Sequence, residues 1–181
     1  MQIVNSDKKY GLIAIMLHWI LAVSVIGLYI LGLYMTDLTY YDALYRVLPA
    51  WHKAIGVAVL LAFVLRLGWR LINPVPQNPN HRVWEKRLAH YIHWSFYVLI
   101  VLMCVSGYLI STADGRALDV WGLFSIPALI TGVDNLEDMA GNAHYWIANT
   151  LILMVLLHAG AAIKHQLIDK DNTLGRMLGK S

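Results

Sequence analysis

The sequence is poor in cysteine and in charge, and each shortage excludes classes of protein. One cysteine, Cys104, occurs in 181 residues, which excludes disulfide scaffolds, zinc sites built from cysteine pairs and covalent haem attachment through a C-x-x-C-H motif. Charged residues make up 14% of the chain and hydrophobic residues 59%, whereas soluble domains average about 25% and about 45–50%. The composition therefore indicates a membrane protein. The net charge of +3 is too modest to suggest a nucleic-acid partner.

Four apolar runs are long enough to cross a bilayer as helices, for which about 20 residues suffice. We predict one transmembrane domain, residues 1–181, with spans at about 10–36, 50–72, 88–113 and 139–163. The proline-rich, basic segment NPVPQNPNHRVWEKR that follows the second run indicates a linker rather than a helix. The longer loop from Asp114 to Asp138 is acidic. The predicted fold is an all-α integral membrane four-helix bundle.

Lysine and arginine are distributed unequally between the two ends of these runs. Eleven of the fourteen lie in the N-terminal segment, at and after the end of the second run, and in the tail. The other two loops hold the remaining three, together with seven of the eleven acidic residues. Because cytoplasmic loops carry the excess of Lys and Arg, we predict that the N- and C-termini are both cytoplasmic.

Four of the histidines inside the apolar runs lie at two depths. His144 and His158 are fourteen positions apart in the last run, hence ~21 Å apart along a helix axis and only ~40° apart around it. In the predicted orientation His18 and His158 lie about 10 Å from the cytoplasmic side. His52 and His144 lie near the beginnings of their helices, close to the outer side. The four therefore form two level-matched pairs, each drawn from two different helices.

Paired imidazoles from separate helices are the arrangement that a flat macrocycle with two axial ligands requires. Haem iron takes neutral imidazole nitrogens, and blocking both axial positions favours electron transfer over oxygen binding. We therefore predict two stacked haems, the inner held by His18 and His158 and the outer by His52 and His144. Arg66 lies fourteen positions after His52 and returns to the same face at the inner level, where a haem propionate would offset the cost of an arginine in a span.

Other readings of these histidines are weaker. One intramembrane histidine is often an interhelical hydrogen-bonding contact, but four at matched depths are harder to explain in that way. A single metal site is disfavoured by the separation of ~21 Å and by the lack of a carboxylate that joins the two levels. A proton-relay transporter is expected to bury Asp or Glu in its spans, and these runs contain neither. A haemless four-helix transporter or scaffold is the alternative from another class.

A second group of polar residues lies at the cytoplasmic ends of the third and fourth runs. A quinone needs hydrogen-bond donors for its carbonyls and protons when it is reduced, and His with Asp supplies both. The alternative is that the histidines of the third run face lipid headgroups. The candidate quinone residues are His90, His93, Arg82, His165, Lys170 and Asp171.

Several motifs then resemble one family over nearly the whole chain. They are LHW at His18, WHKAIG at His52, RLGWRLINPVP, LAHYIHW, SGYLIS and LLHAGAAIKHQLIDKDNTLGRM. These resemble the bacterial cytochrome b561 family, four-helix membrane proteins related to the cytochrome b subunits of nickel hydrogenases. The resemblance implies that His18, His52, His144 and His158 are the ligands of two haem b groups. It also implies a respiratory-type electron-transport protein of the bacterial inner membrane.

One member of that family oxidises superoxide and passes the electron to ubiquinone, and its quinone-associated cluster matches His93, His165 and Asp171 here. Compared with that member, this chain has fewer lysines in the linker, and its loop from Asp114 to Asp138 is longer and more acidic. Such a loop would repel a superoxide anion if it forms the outer entrance. The resemblance implies electron transfer between the haems and the ubiquinone pool, with superoxide:ubiquinone oxidoreductase activity as one form. The alternative is a membrane anchor and electron carrier that docks a soluble periplasmic redox partner. Membrane lipid and quinone are the expected partners, and the sequence leaves the electron donor and the direction of electron flow open.

Overall fold

A computed structural model describes residues 2–7, 9–76 and 83–180 of the chain. Among these residues, four helices are long and apolar enough to cross a membrane. They are α1 (Leu12–Thr36), α2 (Val47–Ile72), α3 (Val83–Thr112) and α4 (Leu136–Leu167). The predicted all-α integral membrane four-helix bundle is confirmed. A short helix, α5 (Thr173–Met177), follows α4.

The helices pack chiefly as two neighbouring pairs, α1 with α2 and α3 with α4. A small core lies where α1, α2 and α3 meet, and its buried residues are Leu21, Val59, Phe63, Tyr97 and Ile100. Most other large apolar side chains point outwards. Val23, Leu65 and Leu156, in the middle parts of α1, α2 and α4, are each about two-thirds exposed. Lipid covers such side chains in a bilayer, where close packing between helices does not need a large apolar core.

The third helix begins earlier than the sequence predicted. Its first residue is Val83, so the VWEKR end of the expected linker is helical. These five residues contain neither proline nor glycine. Glu85 lies in the first turn, where the helix dipole favours a negative charge. Its carboxylate also lies 3.9 Å from the Lys164 ammonium of α4. The predicted quinone candidate Arg82 lies outside the described residues, as does the rest of 77–82.

The loop between α3 and α4 contains a small antiparallel hairpin that the sequence did not reveal. Its strands are β1 (Leu118–Val120) and β2 (Phe124–Ile126), paired with Leu118 opposite Ile126. The buried side chains of Leu118 and Val120 pack β1 against α2 and α3. Strands of three residues are too short to produce a recognisable alternation of apolar and polar residues.

Candidate functional site

The first histidine pair joins α1 to α4. The ring centroids of His18 and His158 are 6.3 Å apart, and the ring planes are inclined at 66°. His18 lies in the second turn of α1, and His158 lies in the last third of α4. The structure therefore brings together the two histidines that the sequence placed at the inner level.

The second histidine pair joins α2 to α4. The ring centroids of His52 and His144 are also 6.3 Å apart, with an inclination of 64°. Each of these rings meets a glycine of a further helix. A Cβ added at Gly32 of α1 would lie 3.5 Å from Cε1 of His52, and one added at Gly107 of α3 would lie 3.2 Å from Cε1 of His144. The second pair is thus enclosed by backbone from α1 and α3.

The separation of 6.3 Å has a simple chemical meaning. A metal–imidazole bond is about 2.0–2.1 Å long and a ring nitrogen lies about 1.1 Å from the ring centre, so two imidazoles on opposite sides of one metal hold their centroids about 6.2–6.4 Å apart. Both pairs have this separation. The two pairs therefore fit axial ligation of two haem irons.

A cation lies beside the first pair. Nη1 of Arg66 donates a hydrogen bond of 3.2 Å to the carbonyl oxygen of Ala14, one helical turn before His18. Arg66 on α2 is thus at the level that the sequence predicted for it. Pairing with a propionate stays a prediction.

Some of the predicted quinone residues lie on the side of the bundle that holds the His18–His158 pair, and others are exposed. The ring of His93 lies 5.6 Å from that of His158. Two turns further along α4, Nδ1 of His165 lies 3.3 Å from an oxygen of Asp171, whose side chain is only 3% exposed. His90, by contrast, is exposed and its ring contacts Tyr91 and Trp94 of its own helix. Lys170 is also exposed.

The sequence reasoning missed an ionic cluster around His165. An oxygen of Asp169 lies 2.7 Å from Nδ1 of His165 and accepts a hydrogen bond of 2.6 Å from Lys164. This hydrogen bond is the main reason why the pKa of the Asp169 carboxyl lies below its usual range. Ligand atoms of Glu85, His165 and Asp169 lie within 4.8 Å of one another, a spacing that a metal ion could bridge. The Lys164 ammonium, however, already supplies a positive charge between the two carboxylates.

A polar residue that the sequence reasoning did not single out also contacts the second pair. Oγ of Ser106, a buried residue of α3, lies 2.9 Å from Nδ1 of His144. The signal for it was present: Ser106 begins the SGYLIS motif, and a hydroxyl in an apolar span needs a partner. Helix periodicity alone does not show which ring it meets.

Comparison with known proteins gives matches that cover nearly the whole chain. Residues 9–180 match the family described as prokaryotic cytochrome b561. The chain is 40% identical to cytochrome b561 homolog 2 of Escherichia coli (strain K12), an alignment that covers 100% of this chain and 97% of that protein. It is 30% identical to the probable superoxide oxidase CybB of Yersinia pestis, over 96% of this chain and 97% of that protein. It is 29% identical to cytochrome b562 of Cereibacter sphaeroides, over 96% and 98%.

Proposed function

The chain belongs to the prokaryotic cytochrome b561 family, and we propose that within it the chain holds two haem b groups and exchanges electrons with ubiquinone. Membership itself implies haem b binding and membrane electron transfer. The proposal adds the number of haems, their ligands and the quinone. It rests on one observation: two histidine pairs, each from two different helices, have the ring separation of two imidazoles on one metal.

We assign His18 and His158 to one haem and His52 and His144 to the other. A haem iron with two imidazole ligands gains and loses one electron without offering a position to oxygen. The histidines of α4 hold the two levels ~21 Å apart along one helix. That separation spans much of the ~30 Å hydrocarbon core, so electrons can cross the bilayer between the two sites. Arg66 would neutralise a propionate at the His18–His158 site.

The quinone site of this proposal is formed by His93, His165 and Asp171. His93 is in ring contact with His158, so a quinone beside His93 would lie next to the His18–His158 site. An imidazole N–H of His93 or His165 would donate a hydrogen bond to a quinone carbonyl, and His165 with Asp171 would deliver a proton to the reduced quinone. The carboxylate of Asp171 is held in place because it accepts hydrogen bonds from the N–H and the hydroxyl of Thr173.

The proposed location is the bacterial inner membrane with both termini in the cytoplasm. The support is the excess of Lys and Arg in the N-terminal segment, at the end of α2, at the start of α3 and in the tail. In this orientation the His18–His158 site and the quinone residues are on the cytoplasmic side. The His52–His144 site and the hairpin are then on the periplasmic side.

The electron donor is the point on which two candidate functions differ. The name of the Yersinia pestis relative suggests superoxide. The loop between α3 and α4 instead carries several acidic residues, among them Asp114, Asp119 and Asp134, and all three are exposed. Negative charge repels a superoxide anion and attracts a basic protein. Reduction by a basic periplasmic protein that weakens with added salt would favour the docking function. Reduction by superoxide that does not weaken with added salt would favour the oxidase.

The test of the haem assignment is the haem-to-protein ratio and the reduced-minus-oxidised spectrum of the purified protein. Wild type is expected to bind two low-spin b-type haems. His144→Ala and His158→Ala are each expected to lose one of them, and the two losses should affect different spectral components. His90→Ala is the matched control, because His90 is a histidine of the same bundle with an exposed ring. Two low-spin haems in both ligand variants would refute the assignment, and a colourless wild type would favour a haemless transporter or scaffold.

A further inference from the structure

The hydroxyl of Ser106 makes three close polar contacts inside the bundle. Its Oγ lies 2.8 Å from the carbonyl oxygen of Leu102, 3.0 Å from that of Met103 and 2.9 Å from Nδ1 of His144. Ser106 is only 5% exposed, so water does not compete for these contacts.

The donors and acceptors in this group fix the proton on His144. A hydroxyl has one hydrogen, and a carbonyl oxygen can only accept. Ser106 donates its hydrogen to the carbonyl of Leu102 or Met103, the bond that a serine inside a helix commonly makes to a carbonyl three or four residues earlier. A lone pair of Oγ then remains for Nδ1 of His144. Because that lone pair can only accept, Nδ1 carries the proton. The other nitrogen, Nε2, is then the unprotonated one that can bind a metal.

The next residue restricts the ring sterically. A Cβ at Gly107 would lie 3.2 Å from Cε1 and 3.6 Å from Nδ1 of His144, so the imidazole lies against the α3 backbone at this glycine. Ser106 thus contributes a hydrogen bond to the His144 ring, and Gly107 contributes a close backbone contact to the same ring. This combination restricts both the rotation and the position of the imidazole.

The other ring of the pair has no equivalent support among the residues that the structure describes. Nδ1 of His52 is buried without a hydrogen-bond partner there, and the nearest glycine, Gly32, would bring a Cβ no closer than 3.5 Å. The hydrogen bond of Ser106 therefore acts on one ligand of one site. An acceptor at the distal nitrogen of a ligating histidine makes the ring a stronger electron donor to the metal, which favours the oxidised iron.

We propose that Ser106 is a positioning residue of the His52–His144 site, which holds His144 with Nε2 towards the metal and lowers the reduction potential of that site. The proposal rests on the proposed haem ligation. It adds a residue outside the ligand set that acts on one ring of one site.

The test is a redox titration of each haem, together with electron paramagnetic resonance of the oxidised protein, on Ser106→Ala. The variant is expected to keep two haems. One midpoint potential should rise, by a shift of up to about tenfold in the reduction equilibrium or about 59 mV for one electron, while the other stays constant. The low-spin signal of the same haem should also change, because its ligand ring is free to turn.

Two further variants separate positioning from general packing. Ser106→Thr keeps the hydroxyl and is expected to restore the wild-type potential. Ser95→Ala removes another serine of α3 that donates to the carbonyl four residues earlier and is expected to leave both potentials unchanged. If Ser106→Ala loses one haem, restoration of that haem by Ser106→Thr supports the proposal, and failure of restoration overturns it.

Failure of this proposal and failure of the proposed function give different results. Two haems in wild type with unchanged potentials and signals in Ser106→Ala would overturn the role of Ser106 alone. Fewer than two haems in the wild-type protein would overturn the proposed function, and the role of Ser106 with it.

Discussion

The indole rings of Trp51 and Trp121 meet edge to face, with centroids 4.8 Å apart. Trp51 immediately precedes the candidate ligand His52, and Trp121 is at the turn of the hairpin. Trp121 has a φ angle of 52° and the following Gly122 one of 70°. A large residue rarely adopts this left-handed conformation, so the contact with Trp51 helps to stabilise an unfavourable backbone. The hairpin turn is thereby attached next to the His52–His144 site.

Removal of this contact is expected to open the His52–His144 site to solutes. An aromatic pair contributes about 0.5–1.5 kcal/mol beyond its buried area, so Trp121→Ala should raise the open population about two- to tenfold. Stopped-flow reduction of one haem by a small water-soluble reductant should become faster by a similar factor. Leu123→Ala is the control, because Leu123 is in the same turn and is 77% exposed. Equal rates in Trp121→Ala and wild type would show that the hairpin does not control access.

His93 is expected to be needed for quinone reduction and not for haem binding. His93→Ala removes a ring in contact with His158 but leaves both ligand pairs intact. Quinone reduction by the prereduced protein should fall about 10²–10⁴-fold if His93 takes part in proton transfer, with two haems retained. His90→Ala, three residues earlier on the same helix, should reduce quinone at the wild-type rate. Equal losses in the two variants would argue for a general effect on α3.

Arg66 is expected to raise the reduction potential of the site beside it. A positive charge stabilises an added electron, and at about 10 Å in an effective dielectric of about 20 the interaction is about 1–2 kcal/mol. Arg66→Gln should therefore lower the midpoint potential of one haem and leave the other unchanged in a redox titration. Arg46→Gln removes an exposed arginine, next to Tyr40, and should change neither potential. A drop in both potentials would indicate a long-range effect of net charge.

The depressed pKa of Asp169 predicts how the tail depends on pH. A carboxyl whose pKa is lowered on folding stabilises the fold above its ordinary pKa of 3.8, and this contribution is lost as the pH falls through the lower, folded value. Asp169→Asn should therefore make the tail more susceptible to limited proteolysis at pH 7. The difference from wild type should begin to shrink as the pH falls below 3.8 and should vanish once the pH is below the folded pKa of Asp169. Asp138→Asn, an exposed acid at the other end of α4, should show no difference at either pH.

The fold could largely be predicted because its main signal is simple. Uncharged runs longer than about 20 residues leave few alternatives to membrane helices. The start of α3 was missed because Glu85, Lys86 and Arg87 extend the helix beyond its apolar run, and charges next to prolines resemble a linker. The hairpin was missed because its three-residue strands carry no periodic pattern.

The sequence could predict the membrane depth of each candidate ligand, but it could not predict which side chains contact each other. The fixed rise of a helix places His144 and His158 at two levels, and the structure brings each ring to a partner at 6.3 Å. The spacing of three residues grouped His90 with His93, but only His93 turns towards α4. Which side of α3 faces α4 depends on how the two helices are rotated against each other. The contact between Ser106 and His144 depends on the same rotation, so the sequence alone could not give it.

One feature of the bundle has a consequence for how the protein is made. Both histidine pairs include a residue of α4, and α4 is the last of the four long helices to leave the ribosome. While only α1, α2 and α3 are inserted, His18 and His52 have no opposing ring, so under the proposed assignment neither haem would have both of its histidines. Under the same assignment, complete haem binding would have to follow synthesis of α4. Assembly of both proposed sites would thus depend on one late insertion event.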